Sequence, residues 1–397
     1  MKSLINRIKD FNAGRMPELK QRKFLALADN IFGFYRGTCH LFYEDLHQEP
    51  ALKTGPPVWI SGDLHLENFG SYRAANGLVY FDINDFDEAA LAPAAWELGR
   101  FICSIGMASE LWQYSMSEAK DLMKLFLEEY SAALVEGKAY AIQSETSPPL
   151  IQEFFSMAEK GKESDMIRAR MDKKTERLKL IDGKTVAIPE EDRDKVLKSV
   201  NPFLHERYGY LTVHDALFRI AGKGSLGVTR YVLLVWDDRK EKWRLLDIKE
   251  ALHSSLQPYL SLKQPSWTNE GDRVHWVQTQ MQYALPRFFT PLTVGSRSFV
   301  LKQLQPSAQK IDHRLCHRKM KNVETVISTM AVAVASAQIR SASRKGSADV
   351  DALAAFGHDA AWREPLVKMA ADYINTMNGY YDTWSRYMLD EGRQPEE

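Results

Sequence analysis

The chain has only three cysteines in 397 residues, Cys39, Cys103 and Cys316, odd in number and far apart. That argues against a disulfide framework and for a reducing compartment. It has no apolar run of 18 residues, so no membrane-spanning helix is expected. Its opening stretch, MKSLINRIKDFNAGRMPELKQRK, holds no apolar segment of signal-peptide length. Neither charge is in excess: 52 Lys+Arg face 52 Asp+Glu. No global field therefore points to nucleic acid or to an anionic membrane surface. Internal repeats and low-complexity tracts are absent too. A cytoplasmic protein without nucleic-acid or membrane partners is expected. What the chain does have is core-forming material, 45% hydrophobic and 11% aromatic residues. At 45.4 kDa it is long for one core, so two lobes around a cleft are expected.

The local patterns order themselves along the chain. Residues 1–20 are polar and read as a loose arm. FLALADNIFGFYRGTCHLFYEDL (24–46) reads as helix with a break near Gly33. VWIS (58–61) and LVYFDIND (78–85) read as strands. Helices follow from about Pro93 and over 117–137. Residues 138–210 are polar and charge-rich, and read as an irregular insertion or linker with some helix. RYVLLVW (230–236), the polar turn DDRKEK and WRLLDIKEA (243–251) read as a hairpin, and SRSFVLKQL (296–304) as a further strand. A helix is expected at 271–284, and the chain is helical from about 320.

Four pieces of the sequence carry chemistry. In ISGDLHLENFG (60–70), Asn68 lies five residues after Asp63. Kinase-type catalytic loops use that spacing, because a carboxylate that orients the acceptor hydroxyl and an amide that holds a metal must face one another across the transferring phosphate. An Asp and an Asn in a turn after a strand have the same look. Seventeen residues further on, FDINDFDEA places Asp82, Asp85, Asp87 and Glu88 within seven positions. Such crowding is repulsive unless a cation or solvent relieves it. Asp85 is the preferred magnesium ligand and Asp82 the alternative. Downstream, Gly222, Gly224 and Gly227 form G-x-G-x-x-G. In a dinucleotide-binding domain the glycines would open a helix, with Asp247 twenty residues on. Here RYVLLVW follows, which makes a glycine-rich hairpin over phosphates the better reading. Lys249 in LLDIKEA then sits on the second hairpin strand among apolar neighbours. An ammonium there is awkward unless it meets anions, and nucleotide phosphates would serve.

Taken together, FYRGT (34–38), GDLHLENFG (62–70), FDINDFDE (81–88), WELGR (96–100), GKGSLGVTRY (222–231), DIKEA (247–251) and FVLKQL (299–304) resemble the bacterial family called domain of unknown function 2252. The resemblance runs over roughly residues 24–337. GDLHLEN also resembles the G-D-x-H-x-x-N loop of aminoglycoside and choline kinases. The resemblance implies an α+β, two-lobed, protein-kinase-like fold with ATP and magnesium as cofactors, and names no acceptor, small molecule or protein. Ordinary kinases run from glycine loop through Lys and helix to catalytic loop and metal Asp. Here the catalytic loop comes first, which implies a circular permutation. The expected layout is a mostly helical large lobe from 1–210 (insertion at 138–210) and 306–397, with a small antiparallel β lobe at 211–305. Asp63 would orient and deprotonate the acceptor, Asn68 and Asp85 hold magnesium, the glycine amides cover the phosphates and Lys249 counter their charge.

Departures are visible as well. The helix at 271–284 has no Glu to pair with Lys249. Glu250 points to the opposite face, and Glu270 is the remaining partner. Ser61 stands where small-molecule kinases have His, and the Glu of WELGR where they have Asp. A nucleotide-binding pseudokinase acting as regulator or scaffold, and an AMP transferase on the same fold, are the alternatives. Other constellations are weaker. HRLCH offers His313, Cys316 and His317 to zinc, without a fourth ligand nearby. GDLH without later G-D and G-N-H elements does not make a metallophosphoesterase. Arg36, between aromatics, reads as an ion-pair partner or as a group facing the phosphates.

Overall fold

The computed structural model describes residues 2–222, 224–305, 309–310 and 319–391. The architecture is mixed α+β, with a large helical core and an antiparallel sheet. At the centre of the core lies the helix Ala94–Leu111, buried along nearly its whole length, as an apolar-all-round sequence requires. Around it pack the helices Met116–Glu136 and Arg363–Glu391, with Met320–Arg340 behind Met116–Glu136. Met116–Glu136 starts in a capping box between Ser115 and Glu118 and stops at Gly137 in the left-handed region. Residues from near both chain ends, Ile8 to Met388, share this one core.

The sheet has six strands in the order Thr290–Val294, Arg297–Gln303, Lys242–Glu250, Arg230–Asp237, Leu211–Arg219, Thr185–Val186, with every pair antiparallel. The hairpin is in register from Lys242 opposite Asp237 to Lys249 opposite Arg230. RYVLLVW is a continuous apolar run because both its faces are covered. Tyr231, Leu233 and Val235 join one cluster and Val232 and Leu234 another. Between the fourth and fifth of these strands in chain order, Lys242–Glu250 and Thr290–Val294, runs the helix Glu270–Met281, capped by Asn269. It packs on the sheet and also sends Val274, Val277 and Met281 into the helical core.

Two segments differ from their sequence reading. Residues 138–210 are largely helical, and they divide. Pro149–Lys160 packs on the strand Phe69–Arg73, whereas Glu190–Tyr208 lies on the sheet through Val196, Val200 and Leu204. That stripe repeats every four residues in an otherwise polar helix, so composition alone reads as linker. The opening arm is ordered as two helices, Leu4–Phe11 and Pro17–Leu27. It is tied to the last helix by Arg7 Nη1 to Tyr380 Oη (3.2 Å) and by Trp384 Nε1 to the carbonyl of Phe24 (3.2 Å). The break expected near Gly33 lies at 28–30, where Asn30 caps the helix Ile31–Gly37, with a second at Thr38.

Candidate active site

The strand Pro57–Ile60 pairs with Ala90–Pro93, which runs directly into the helix Ala94–Leu111. This brings GDLH and WELGR together. Glu97 accepts from the Ser61 amide (2.6 Å) and from Ser61 Oγ (2.5 Å). Burial raises the Glu97 carboxyl to about 7, against the lowering effect of those hydrogen bonds. Gly62 has φ +82, and a Cβ there would lie 2.2 Å from the carbonyl of Glu88. Only glycine meets both conditions. Tyr43 donates to the Gly62 carbonyl at 2.6 Å. The loop is therefore clamped on both sides just before Asp63.

Asp63 is held by Arg100, whose Nη2 and Nε reach Oδ1 at 2.8 and 3.1 Å. Oδ2 takes no part in that pair, and the carboxylate side chain keeps 24% of its surface open. Arg100 itself is fully buried, stacked 3.7 Å over the Tyr35 ring. Asn68 ties the two acidic loops together. Its Nδ2 donates to the carbonyls of Asp63 and Asp85, both at 3.2 Å, and its Oδ1 accepts from the Asp85 amide at 2.8 Å. Arg36 is paired with Glu67 (2.6 Å) and contacts His65 Nε2 (3.3 Å), so it braces the same loop.

The four carboxylates of FDINDFDE separate into distinct environments. Asp82 is buried, its oxygens taken by the amides of Ile83 and Tyr283 and by Arg340 (3.2 Å). Glu88 is fixed by the amide of Ser255 (2.6 Å) and the hydroxyls of Ser254 and Ser255. Asp85 and Asp87 face Lys249. Lys249 Nζ lies 3.2 Å from Asp85 Oδ2 and also pairs with Asp87. Burial alone would lower the Lys249 ammonium, but the two carboxylates outweigh it and raise it. The Asp87 carboxyl is pushed up by burial and then by the charge of Asp85. Glu270, the remaining helix partner for Lys249, instead pairs with Arg273 and His253, and Glu250 meets Arg297. The lysine's carboxylates thus come from the helical core, 164 positions away in the chain for Asp85.

The glycine loop joins the strands Leu211–Arg219 and Arg230–Asp237. Gly222 and Gly227 have φ +79 and +84, while Gly224 is packed near the Arg36 carbonyl. Asp247, the ribose ligand of the dinucleotide alternative, is buried between Arg230 and Arg219. Burial pushes its carboxyl up, and the two guanidiniums outweigh that and hold it well below the usual range.

Asp85 and Asp87 offer hard oxygen donors of the kind magnesium takes, one or two carboxylates completed by phosphate oxygens and water. Among the described residues no group of three or more His, Cys, Asp or Glu is arranged to hold a metal ion. The donor set fits a cation shared with phosphates and not an all-protein cage. The structure brings Asp63, Asn68, Asp85 and Lys249 together and leaves Asp82 outside that set. HRLCH lies outside the described residues.

Sequence reading gave no role to Arg100, and saw Asp87 only as one of a crowd. An Arg and a Glu three apart in a helix as apolar as Ala94–Leu111 are the signal that could have found Arg100 and the loop-clamping role of Glu97. The roles of Arg273, whose guanidinium donates to the carbonyls of Asp87, Ala89 and Leu252, left no local signal.

Among the described residues, no helix is long and apolar enough to cross a membrane. Comparison with curated proteins and with solved structures returns no match. A family model does match, over residues 15–387, and the chain belongs to that family, described as an uncharacterized protein conserved in bacteria (DUF2252).

Proposed function

We propose that the chain is an ATP- and magnesium-dependent phosphotransferase with a circularly permuted, kinase-like fold. One observation carries this reading. Asn68 stitches the Asp63 and Asp85 loops together, and Lys249 reaches the same Asp85 from the sheet. That residues far apart in the chain meet in this way supports a site for phosphoryl transfer. The order of the sheet segment supports it too: glycine loop, then Lys on the third long strand, then a helix.

In this reading Asp63 orients the acceptor hydroxyl and takes its proton, with Arg100 fixing the carboxylate. Lys249 and the backbone of the glycine loop counter the charge of the phosphates. Asp85, Asp87 and the Asn68 amide oxygen would hold magnesium, which would supply positive charge against the charge of the phosphates. The acceptor is a hydroxyl compound, small molecule or protein.

The test is thermal stability with and without ATP and magnesium. A ligand at 100 times its Kd stabilises by about 2.7 kcal/mol, or roughly 3 °C for a chain of this length. Wild type should shift, and Asp85→Ala and Lys249→Ala should not. Absence of a shift in wild type, with no binding by titration, overturns the reading. The regulator alternative draws on the Arg100–Asp63 pair, which restrains the base. Turnover separates the two: Asp63→Asn should leave nucleotide binding intact in either case, and only an enzyme has a turnover for it to abolish. ATP labelled at the α or the γ phosphate separates AMP transfer from phosphoryl transfer.

A further inference from the structure

Lys23, in the helix Pro17–Leu27, is 1% exposed. An ammonium has three donors, and a buried charge is costly unless paired. Among the described residues the hydrogen-bond partner of Lys23 is a neutral carbonyl, that of Gly224 at 2.8 Å, and it makes no ion pair. Arg15, on the same arm, donates from Nη1 to the carbonyls of Gly224 (3.0 Å) and Leu226, again without an ion pair among the described residues. The Met16 amide reaches the Gly227 carbonyl at 3.4 Å, and a Cβ on Gly227 would lie 2.9 Å from Arg15 Cβ. The arm is thus packed against the glycine loop itself. Two basic side chains without a carboxylate partner among the described residues thus sit at the loop. The charges of Asp63 and Glu88 act on Lys23, and those of Glu88 and Asp87 on Arg15. Burial nevertheless drives the Lys23 ammonium well below its ordinary range, with Arg15 adding to the effect. Burial likewise lowers Arg15 to about 10.

We propose that Lys23 and Arg15 are phosphate-binding residues, which receive the terminal phosphates of the nucleotide beneath the glycine loop and make the N-terminal arm part of the site. The inference rests on the nucleotide reading above. It assigns to the arm the anion that these two side chains lack. Polyphosphate oxyanions are the matching chemistry, since they accept from an ammonium and a guanidinium at once.

The experiment is calorimetric titration of the full chain with ATP plus magnesium, with inorganic tripolyphosphate and with adenosine, alongside melting of the ligand-free protein. Lys23→Met should melt at the same temperature as wild type or higher, because it replaces a buried amine, hydrogen-bonded to one carbonyl, with an apolar side chain. It should weaken ATP and tripolyphosphate by roughly tenfold to a hundredfold, the scale of a lost charge-assisted hydrogen bond, and leave adenosine unchanged. If Lys23→Met binds ATP as tightly as wild type while Lys249→Ala does not bind, the inference falls and the nucleotide reading stands. A lower melting temperature with ATP affinity intact makes Lys23 a strut for the loop, and also overturns it. Should wild type bind tripolyphosphate through Lys23 but not ATP, the anion site stands and the nucleotide reading falls. Binding of neither ligand by wild type removes both. If Lys23→Met does not fold, Arg15→Gln decides by the same readings.

Discussion

Replacing Glu97 by Gln gives the loop clamp a measurable signature. Burial raises this carboxyl from an ordinary 4.5 to about 7. Between those values the folded protein holds a proton that the unfolded chain has released. The stability contributed by Glu97 is therefore fully present below about pH 4.5 and is lost as pH rises through 7. From pH 5 to pH 8 the loss amounts to about 2.5 kcal/mol. Gln does not titrate, yet its amide oxygen can accept from the Ser61 amide as the carboxyl does, and its NH2 can donate to Ser61 Oγ. The stability of Glu97→Gln relative to wild type should thus move in the variant's favour by about that amount across the window. For a chain of this length that is about 3 °C in Tm. Paired melts at pH 5, 6, 7 and 8 read it directly. Parallel curves for the two proteins would refute the reasoning, because they would mean that Glu97 ionises alike in the folded and unfolded states.

Asp82→Asn and Asp85→Ala should part company. The first disturbs the Arg340 contact and should cost about 2–4 kcal/mol of stability with nucleotide affinity retained. The second should abolish the magnesium-dependent part of ATP binding with little loss of stability, and titration and urea melts separate them. Gly62→Ala should cost about 3 kcal/mol or more, since it meets both a left-handed φ and the Glu88 carbonyl. Gly77→Ala, with φ +89 but no atom within 4 Å, supplies the comparison and should cost about 1 kcal/mol. Equal costs for the two would show that the close approach at Gly62 does not matter.

The strands and helices that flank the motifs were legible in the sequence because they are strongly patterned. The hairpin at 230–250 alternates between two covered faces, and the helix Ala94–Leu111 is apolar all round. The arm and the helix Glu190–Tyr208 were not legible. Each buries only a narrow stripe against a partner distant in the chain, and that partner cannot be inferred from local periodicity. Lys23 illustrates the cost. A lysine in a polar helix reads as solvated, and only the arm's packing on a loop 201 positions away makes it buried.

In the proposed kinase-like reading, the departures at Ser61, before the Asp63 loop, and at Glu97, in the helix Ala94–Leu111, have a common physical origin. Ser61 in place of His and Glu97 in place of Asp read, one at a time, as separate departures. In the folded chain they are two ends of a single contact, a short hydroxyl met by the longer acid, with the Ser61 amide closing the pair. A shorter acid with the same serine would leave a gap inside a fully buried site, where an unpaired carboxyl oxygen is costly. The two residues therefore match one another, which a linear reading could not see because they lie 36 positions apart. By the same argument, Glu97→Asp should destabilise the loop when made alone, and Ser61→His should recover part of that loss. A double-mutant cycle on Tm and nucleotide affinity should show coupling of roughly 0.5–3 kcal/mol between the two positions. Additive effects would mean that the Ser61–Glu97 contact carries no energy of its own, and that Asp63 is positioned by Arg100 and Asn68 alone.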